Sequence, residues 1–249
     1  MEEPTYSTIE FSNPYENRPY VISNMIVSSD GNTLFTDQDS TGLGSNIDRR
    51  LMGELRFHAD AVINGAETLR IAGSSSLIRS EDLVQSRLLN NKPAHPLACV
   101  VTNSGNLPLE NRFFTSKEFE SLVFLDESNT QTKFDELSPH CKEVISMPKK
   151  NRAEFLLHYL YENYDVDIAL LEGGPMINGI FFENNLIDEH FVTISPQIFI
   201  PSEPFTSIRP TESYRIMHQD LKLISVQTSE HTGEIFTRYK NSSLIEKFD

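Results

Sequence analysis

The sequence has 249 residues, 38% hydrophobic and 23% charged, which is enough apolar material for a buried core and too little charge for a disordered tail. Thirty-six acidic against 21 basic side chains give a formal net charge of −15, a field that opposes binding to nucleic acid or to anionic membranes. Two cysteines argue against a disulfide framework, and the lack of an apolar run of ~18 residues argues against a membrane span. We therefore expect a cytoplasmic globular protein, in which a few arginines and a helix N-terminus can still bind one small anion.

The first half of the chain predicts strands alternating with helices. A polar arm, residues 1–18, precedes a strand at 20–28 that ends at the turn Asp30-Gly31. Ser45 is the expected N-cap of a helix that presents Ile47, Leu51, Leu55 and His58 on one face. The next elements are a strand closing on a glycine, a helical turn, and a polar loop with a short helix, at 59–65, 67–71 and 72–96 with the helix at 81–89.

The second half continues this alternation and then changes character. Strands are predicted at 97–102, 121–125, 143–147 and 167–171, with an amphipathic helix at 151–164 and another helix around Ile177, Ile180 and Phe181. The last three strands, 188–194, 221–228 and 234–239, have no long helix between them. The pattern predicts one α/β domain over 19–249, with a mixed, mostly parallel sheet flanked by helices and an antiparallel C-terminal part.

The sharpest local motif is Glu172-Gly173-Gly174-Pro175, at the end of a predicted strand. The glycines allow a close approach to the backbone, and a proline at the first helical position starts a helix whose positive end faces outward. This geometry suits a pyrophosphate, but a tight strand-to-helix turn explains the motif equally well. The run is neither a G-x-G-x-x-G fingerprint nor a P-loop.

Other residues carry weaker signals. Arg56 and Arg79 could clamp a phosphate, although two solvated surface arginines are the simpler interpretation. Asp30 is first a turn residue and second a candidate functional acid. The seven histidines form no pair with metal-ligand spacing, so no metal site is expected. Cys99, inside an apolar strand, is expected to be buried and inert, and no nucleophile-elbow motif supports hydrolase chemistry.

Three stretches together resemble a known family, the pyrimidine reductases of riboflavin biosynthesis, which form the reductase domain of a bifunctional deaminase-reductase. The resemblance covers about residues 18–239. It rests on Arg18-Pro19-Tyr20-Val21 with Ser28-Ser29-Asp30-Gly31, on Leu55-Arg56 with the run 59–70, and on the run 172–179 followed by Leu186-Ile187-Asp188-Glu189. It implies a fold like that of dihydrofolate reductase and a homodimer formed through the late strands.

The resemblance also implies an activity and a set of site residues. The activity is NADPH-dependent reduction of a ribosylaminopyrimidine 5′-phosphate, with hydride added at C1′ of the ribosylamine. The implied catalytic residues are Asp30 and Glu172, and the substrate-contacting residues are Ser40, Arg56, Arg79 and Glu172. The implied cofactor residues are Val27, Gly42, Thr68, Gly173, Gly174, Pro175, Met176, Ile177 and Asn178.

The chain departs from the family pattern at two cofactor positions. An acid that usually follows the threonine is missing from Arg70-Ile71-Ala72-Gly73-Ser74, and Gly42 stands where an aromatic residue is common. Two alternatives therefore stay open. One is a reductase of the same fold that acts on a pterin or another C=N or C=O compound. The other is a nucleotide-binding relative without turnover.

Overall fold

A computed structural model describes residues 3–33, 43–73, 75–200, 204–211 and 218–242. Within these ranges nine strands form one sheet: β1 Tyr20–Ser28, β2 Ala61–Gly65, β3 Leu97–Thr102, β4 Ser121–Asp126, β5 Glu143–Met147, β6 Ile168–Leu171, β7 Glu189–Ser195, β8 Leu221–Thr228 and β9 Ile235–Asn241. The helices are α1 Asn46–His58, α2 Ala66–Ala72, α3 Glu81–Leu89, α4 Arg112–Thr115, α5 Gln131–Leu137, α6 Arg152–Tyr164 and α7 Pro175–Glu183. A 3-10 turn covers Ser138–His140.

The strand order is β5-β4-β3-β2-β6-β1-β7-β9-β8. The strands from β5 to β7 run parallel, whereas β9 pairs antiparallel with both β7 and β8. The first strand of the chain thus lies at the centre, between two late strands: Tyr20 is opposite Ile168, and Ser28 is opposite Ser195. This arrangement confirms the predicted mixed, mostly parallel sheet with an antiparallel end.

The central strands are buried on both faces, as expected for a parallel sheet covered by helices. Successive residues alternate between two cores: Val21 joins the core beneath α6 and α7, and Ile22 joins the core beneath α1. On α1 the predicted apolar face is present in Leu51 and Leu55, which are buried, while the His58 Nε2 donates a hydrogen bond to the Tyr6 carbonyl at 2.9 Å. These packed layers fix the positions of the strand ends, where the cleft lies.

The sequence predicted the main elements and missed the short ones. β1, β3, β5 and α3 match their predicted bounds, while β2 starts two residues later because Ala59 still belongs to the end of α1, its N–H donating to the Leu55 carbonyl. Helices α4 and α5 and the 3-10 turn have too few residues to show a helical period, and they were not predicted.

The described part of the polar arm packs against the domain. The Tyr6 N–H donates to the Glu54 carboxylate at 2.6 Å, and its ring meets Phe191 edge-on at 4.9 Å. Arg18 binds both carboxylate oxygens of Asp188 at 2.9 Å. The arm is thereby fixed on α1 and β7. No helix in the described ranges has the length and apolar character needed to cross a membrane.

Candidate active site

A cleft of about 490 Å³ opens above the middle of β1. Its floor is Asn24, Met25 and Ile26, and around it lie the start of α1, the end of β2, the loop after α2 and the end of β6. A second cleft of about 550 Å³ adjoins it, and Arg49, Met52, Arg56, Ser75, Arg79 and Arg112 line both. The two clefts therefore form one groove. Arginines line the part that the two clefts share, and Glu172, next to the Gly-Gly turn in the chain, lines the first cleft.

Arg56 and Glu172, both predicted site residues, meet in this groove. The Arg56 Nε and Nη2 atoms donate to the two Glu172 oxygens at 2.6 and 2.8 Å, and Nη1 donates to the Leu77 carbonyl at 2.9 Å. Both side chains are largely buried, 11% and 9% exposed. The guanidinium is thus already engaged by a carboxylate and a carbonyl, and the phosphate clamp expected of Arg56 is not preformed.

Arg79, the other half of the expected clamp, is exposed and lines both clefts. Within the described ranges its guanidinium has no carboxylate partner, unlike that of Arg56. Two further arginines, Arg49 and Arg112, stand beside it; Arg49 donates to the Asn46 side chain at 2.8 Å, and Arg112 pairs with Glu118 at 2.8 Å. No sequence motif singles out these two, because each occupies an ordinary helical position.

The Gly-Gly turn has the predicted strand-turn-helix form. β6 ends at Leu171, Gly174 is the N-cap of α7, and Pro175 occupies the first helical position. The Gly173-Gly174 peptide is cis, Gly173 has φ +88°, and a Cβ there would come within 3.0 Å of the Met25 sulfur. Beside it the Gly65 N–H donates to the Gly173 carbonyl at 2.7 Å. The backbone at the end of β2 therefore contacts the backbone of the Gly-Gly turn, and a side chain on Gly173 would crowd Met25 on the cleft floor.

Two polar atoms near this turn lack a hydrogen-bond partner among the described residues. The Thr68 hydroxyl is buried, and Thr68 lines the cleft. The Asn178 side chain is fully buried; its Nδ2 donates to the Ser207 carbonyl at 2.8 Å, but its Oδ1 is unpaired. Buried polar atoms are normally satisfied, so these two favour a polar ligand beside the turn. A dinucleotide fits this combination of unpaired polar atoms and close backbone approach.

The remaining predicted cofactor residues take different positions. Pro175 and Ile177 are buried at the start of α7, and Met176 is 54% exposed. Val27 is paired with Ile194 in the sheet and is not among the residues lining the two clefts. Their cofactor role stays a prediction. So do the cofactor role of Gly42 and the substrate role of Ser40, because both residues lie outside the described residues.

Asp30 is engaged in its own turn. It accepts hydrogen bonds from the Ser28 hydroxyl at 2.5 Å, the Asn32 amide at 2.8 Å and the Phe199 N–H at 3.2 Å. These donors, Ser28 first, lower the pKa of the exposed Asp30 carboxyl. Asp30 does not line either cleft. The geometry supports the turn role, and the catalytic role stays a prediction. The described ranges hold no cluster of three potential metal ligands.

Asp48 is the acid that the sequence analysis passed over. It lies in the first turn of α1 and lines the cleft, as Thr68 and Glu172 also do. Burial, reinforced by the negative charge of Glu234, raises the pKa of Asp48 to about 6, against the lowering effects of Thr193 and Arg49. Its environment is built by β7 and by the turn before β9, so no local sequence pattern could reveal it.

The chain is similar to known reductases. The family description "RibD C-terminal domain" matches residues 19–228. A relative from Archaeoglobus fulgidus, named 2,5-diamino-6-ribosylamino-4(3H)-pyrimidinone 5′-phosphate reductase, is 25% identical over 219 residues, which is 88% of this chain and 96% of the relative.

Solved structures agree on the fold. A pyrimidine reductase-like protein from Corynebacterium diphtheriae superposes with a TM-score of 0.77 at 23% identity, covering 90% of this chain and 92% of that one. Dihydrofolate reductase from Enterococcus faecalis superposes with a TM-score of 0.50 at 10% identity, covering 90% and 96%. The expected dihydrofolate reductase-like fold is confirmed.

Proposed function

The chain belongs to the RibD C-terminal domain family, an oxidoreductase family of riboflavin biosynthesis, and on this premise we propose that it reduces a ribosylaminopyrimidine 5′-phosphate to its ribitylamino form with NADPH. The observation that carries the proposal is the groove itself. Its lining joins a group of arginines to Glu172, the residue that precedes the glycine turn, and to Thr68, whose buried hydroxyl has no partner among the described residues. One end suits a dinucleotide and the other a phosphate ester.

The phosphate end is defined by charge. In a protein of net charge −15, a 5′-phosphate needs a local group of cations, and the arginines of the groove supply it. Arg79 is the preferred first contact, because no carboxylate of the described residues neutralises it. Arg49 and Arg112 flank it. Arg56 contributes mainly through Glu172.

Glu172 is proposed to orient the pyrimidine. Its two oxygens are fixed by the Arg56 fork at the end of β6, and carboxylate oxygens can accept further hydrogen bonds. The amino and ring N–H groups of a diaminopyrimidine are suitable donors. A carboxylate already held in place binds such a donor without losing side-chain freedom, so the pair contributes through positioning.

The cofactor end is proposed at Gly65, Thr68 and the Gly173-Gly174 turn. NADPH would supply the hydride for C1′ when bound. The Thr68 hydroxyl would gain its missing hydrogen bond from the dinucleotide, and the glycines would let it contact the backbone. The first turn of α7 offers unpaired backbone N–H groups for a pyrophosphate.

A single assay tests this function. Purified protein is mixed with NADPH and 2,5-diamino-6-ribosylamino-4(3H)-pyrimidinone 5′-phosphate, and the absorbance of the reduced nicotinamide is followed. We expect oxidation that depends on the pyrimidine and yields the ribitylamine by mass spectrometry. Oxidation of NADPH only with a pterin or another carbonyl compound would identify that compound as the substrate instead of the pyrimidine. Binding of NADPH without oxidation by any of these compounds would indicate the non-catalytic alternative.

We further propose a homodimer that works in the cytoplasm. The edge strand β8 exposes Leu223, Ile224 and Val226, an apolar row that supports pairing with a second copy. Light scattering after size exclusion tests the dimer, and a charged replacement of Val226 should then give monomers. The location stays a prediction from the sequence.

A further inference from the structure

The reduction of an imine consumes one proton for each hydride. When hydride adds to C1′ of the open-chain ribosylimine, the C1′–H bond forms, and the C=N π pair moves to the nitrogen, which must then bind a proton. The described side chains that line the cleft include two carboxyl groups, Asp48 and Glu172. The question is which of them carries a proton to give.

Glu172 is unsuited to donate. Both of its oxygens accept charge-assisted hydrogen bonds from the Arg56 fork, at 2.6 and 2.8 Å. A proton on either oxygen would break one of these bonds and leave a largely buried guanidinium partly unpaired. Glu172 therefore serves the reaction as an acceptor that holds the substrate.

Asp48 has the opposite surroundings. Arg49, the neighbouring cation, forms no salt bridge with Asp48. Its guanidinium donates instead to the Asn46 side chain at 2.8 Å and to the Gly44 carbonyl at 3.2 Å. One carboxyl oxygen of Asp48 is packed so closely on Gly44 that a Cβ there would overlap it. Thr193, on β7, supplies a single hydrogen bond.

A second acid beside Asp48 strengthens this effect. Glu234 accepts hydrogen bonds from the Ser45 N–H at 3.0 Å, the Ser45 hydroxyl at 2.5 Å and the Thr232 hydroxyl at 2.8 Å. These three hydrogen bonds hold the Glu234 side chain in place near Asp48, and its negative charge raises the pKa of Asp48. The titratable groups that face Asp48 are thus Glu234, Arg49 and the Tyr6 phenol of the arm.

We propose that Asp48 is the proton donor of the reduction, delivering its proton to the imine nitrogen as hydride reaches C1′. The inference rests on the proposed function. In the step the Asp48 O–H bond breaks, its electron pair stays on the carboxylate, and the new N–H bond completes the amine. The reduced nicotinamide dinucleotide is oxidised, and Asp48 regains a proton from water through the open cleft. Overall, one hydride and one proton are added to the C=N bond.

The raised pKa suits this role, because an acid near 6 is partly protonated at neutral pH and transfers its proton readily. Cleft position, the lack of a neutralising cation and the adjacent Glu234 all lead to the same assignment. Asp30, the acid for which the family resemblance implies a catalytic role, is exposed and already accepts three hydrogen bonds in its turn. It is the rival donor that the experiment must separate.

The experiment has two independent readouts. First, carboxyl ¹³C NMR of wild-type protein and of Asp48→Asn assigns and titrates the Asp48 carboxyl without substrate; we expect an inflection near pH 6, and one near pH 4 would overturn the inference. Second, kcat/KM is measured from pH 5 to 9. We expect a fall of about tenfold per pH unit above the Asp48 pKa.

The variants separate donor from support. In Asp48→Asn we expect kcat to fall by roughly 10²–10⁴. The alkaline limb, which is the fall of kcat/KM above the Asp48 pKa, should disappear. The affinity for NADPH, measured by its fluorescence, should change by about twofold at most. Asp48→Glu should restore part of the rate together with the limb. Asp30→Asn should keep the limb. Wild-type turnover with an unchanged limb in Asp48→Asn, or loss of the limb in Asp30→Asn, would overturn the assignment.

The two proposals fail in different ways. If wild-type protein does not oxidise NADPH with the pyrimidine, the proposed function fails, and the NMR titration still decides whether Asp48 holds a proton near neutrality. If the wild type turns over and Asp48→Asn does not fold, the wild-type pH profile decides: a kcat/KM that stays flat to pH 8 overturns the inference, and a limb near 6 supports it.

Discussion

The Arg56 guanidinium and the Glu172 carboxylate, 116 residues apart in the chain, form a two-point ion pair at the floor of the groove. The pair ties α1 to the end of β6 and fixes the carboxylate beside the Gly-Gly turn. Because both side chains are largely buried, each depends on the other for its charge to be tolerated.

Removing both partners should therefore cost less than the sum of the two single removals. We expect Arg56→Met and Glu172→Gln each to lower the free energy of unfolding by about 3–5 kcal/mol, since each leaves its partner without its counter-charge. The double variant should lose less than the sum by at least ~1 kcal/mol. Urea unfolding of the four proteins measures this cycle. Additive losses would mean that the pair is not coupled in solution.

Thr68 tests the cofactor end without disturbing the fold. Its hydroxyl has no partner among the described residues, so Thr68→Val should leave stability unchanged or slightly higher. The dissociation constant for NADPH should rise by about tenfold, the effect of one lost hydrogen bond. Titration by nicotinamide fluorescence checks the affinity. Equal NADPH binding by both proteins would exclude Thr68 from the site.

Arg79 tests the phosphate end. Arg79→Ala should weaken binding of the 5′-phosphorylated pyrimidine by about tenfold to a hundredfold, the effect of losing one charge-assisted hydrogen bond. Binding of the dephosphorylated nucleoside should be unaffected. The matched control is Arg70→Ala, an exposed arginine that pairs with Glu67 at 2.6 Å and lines neither cleft. Steady-state KM values decide. Equal effects in both variants would point to general charge rather than to a phosphate contact.

Two helical glycines should respond oppositely to alanine. On Gly179, in α7, a Cβ would overlap the Arg209 carbonyl oxygen, whereas on Gly53, in α1, a Cβ would meet nothing within 4 Å. Gly179→Ala should thus lower the free energy of unfolding by roughly 1–3 kcal/mol through overpacking. Gly53→Ala should raise it by about 0.5–1 kcal/mol, because alanine favours the helix. Denaturant melts compare them, and a harmless Gly179→Ala would mean that residues 205–211 do not lie on α7.

Acid should destabilise the protein through His190. This side chain lies in the sheet, 2.7 Å from the Ser23 hydroxyl, and burial lowers its pKa to about 4. Between pH 6.5 and 4 the unfolded chain binds a proton that the folded chain does not, so stability falls as pH falls. The free energy of unfolding lost through His190 is at most ~3 kcal/mol.

The comparison of variants isolates this effect. His190→Gln should lose less stability than the wild type between pH 7.5 and 4.5, by urea midpoints at each pH. Asp48 acts in the opposite sense, since its raised pKa favours the folded state at low pH, so the difference between variant and wild type is the quantity to read. Exposed His218→Gln is the control. An identical pH profile for His190→Gln and wild type would contradict the prediction.

The sequence predicts this fold well because its signals are local. The buried strands β3, β4 and β6 are mostly apolar runs, and Ser45 caps α1 through its bonds to the Ile47 and Asp48 N–H groups, as its position suggests. The short helices α4 and α5 escape notice, since fewer than two turns cannot display a period.

The site is predicted only in part because its chemistry is nonlocal. Glu172 and the glycine turn can be found from their motif, and Arg79 from its position in a polar loop. The pairing of Arg56 with Glu172 depends on how α1 packs over β6. The raised pKa of Asp48 comes first from burial and then from the charge of Glu234, which lies far from Asp48 in the chain. Such partners become visible only when the sheet order is known.

The central position of β1 also sets the order in which the chain can be built. During synthesis β1 emerges before the other strands of the sheet. Its neighbours in the sheet, however, are β6 and β7, and the arm before it forms hydrogen bonds with Gln227 on β8. Strands β2 to β5, whose partners follow one another in sequence, can assemble while β1 still waits without a neighbour. Its apolar run is therefore a segment that chaperones have reason to cover until β6 and β7 have been synthesised.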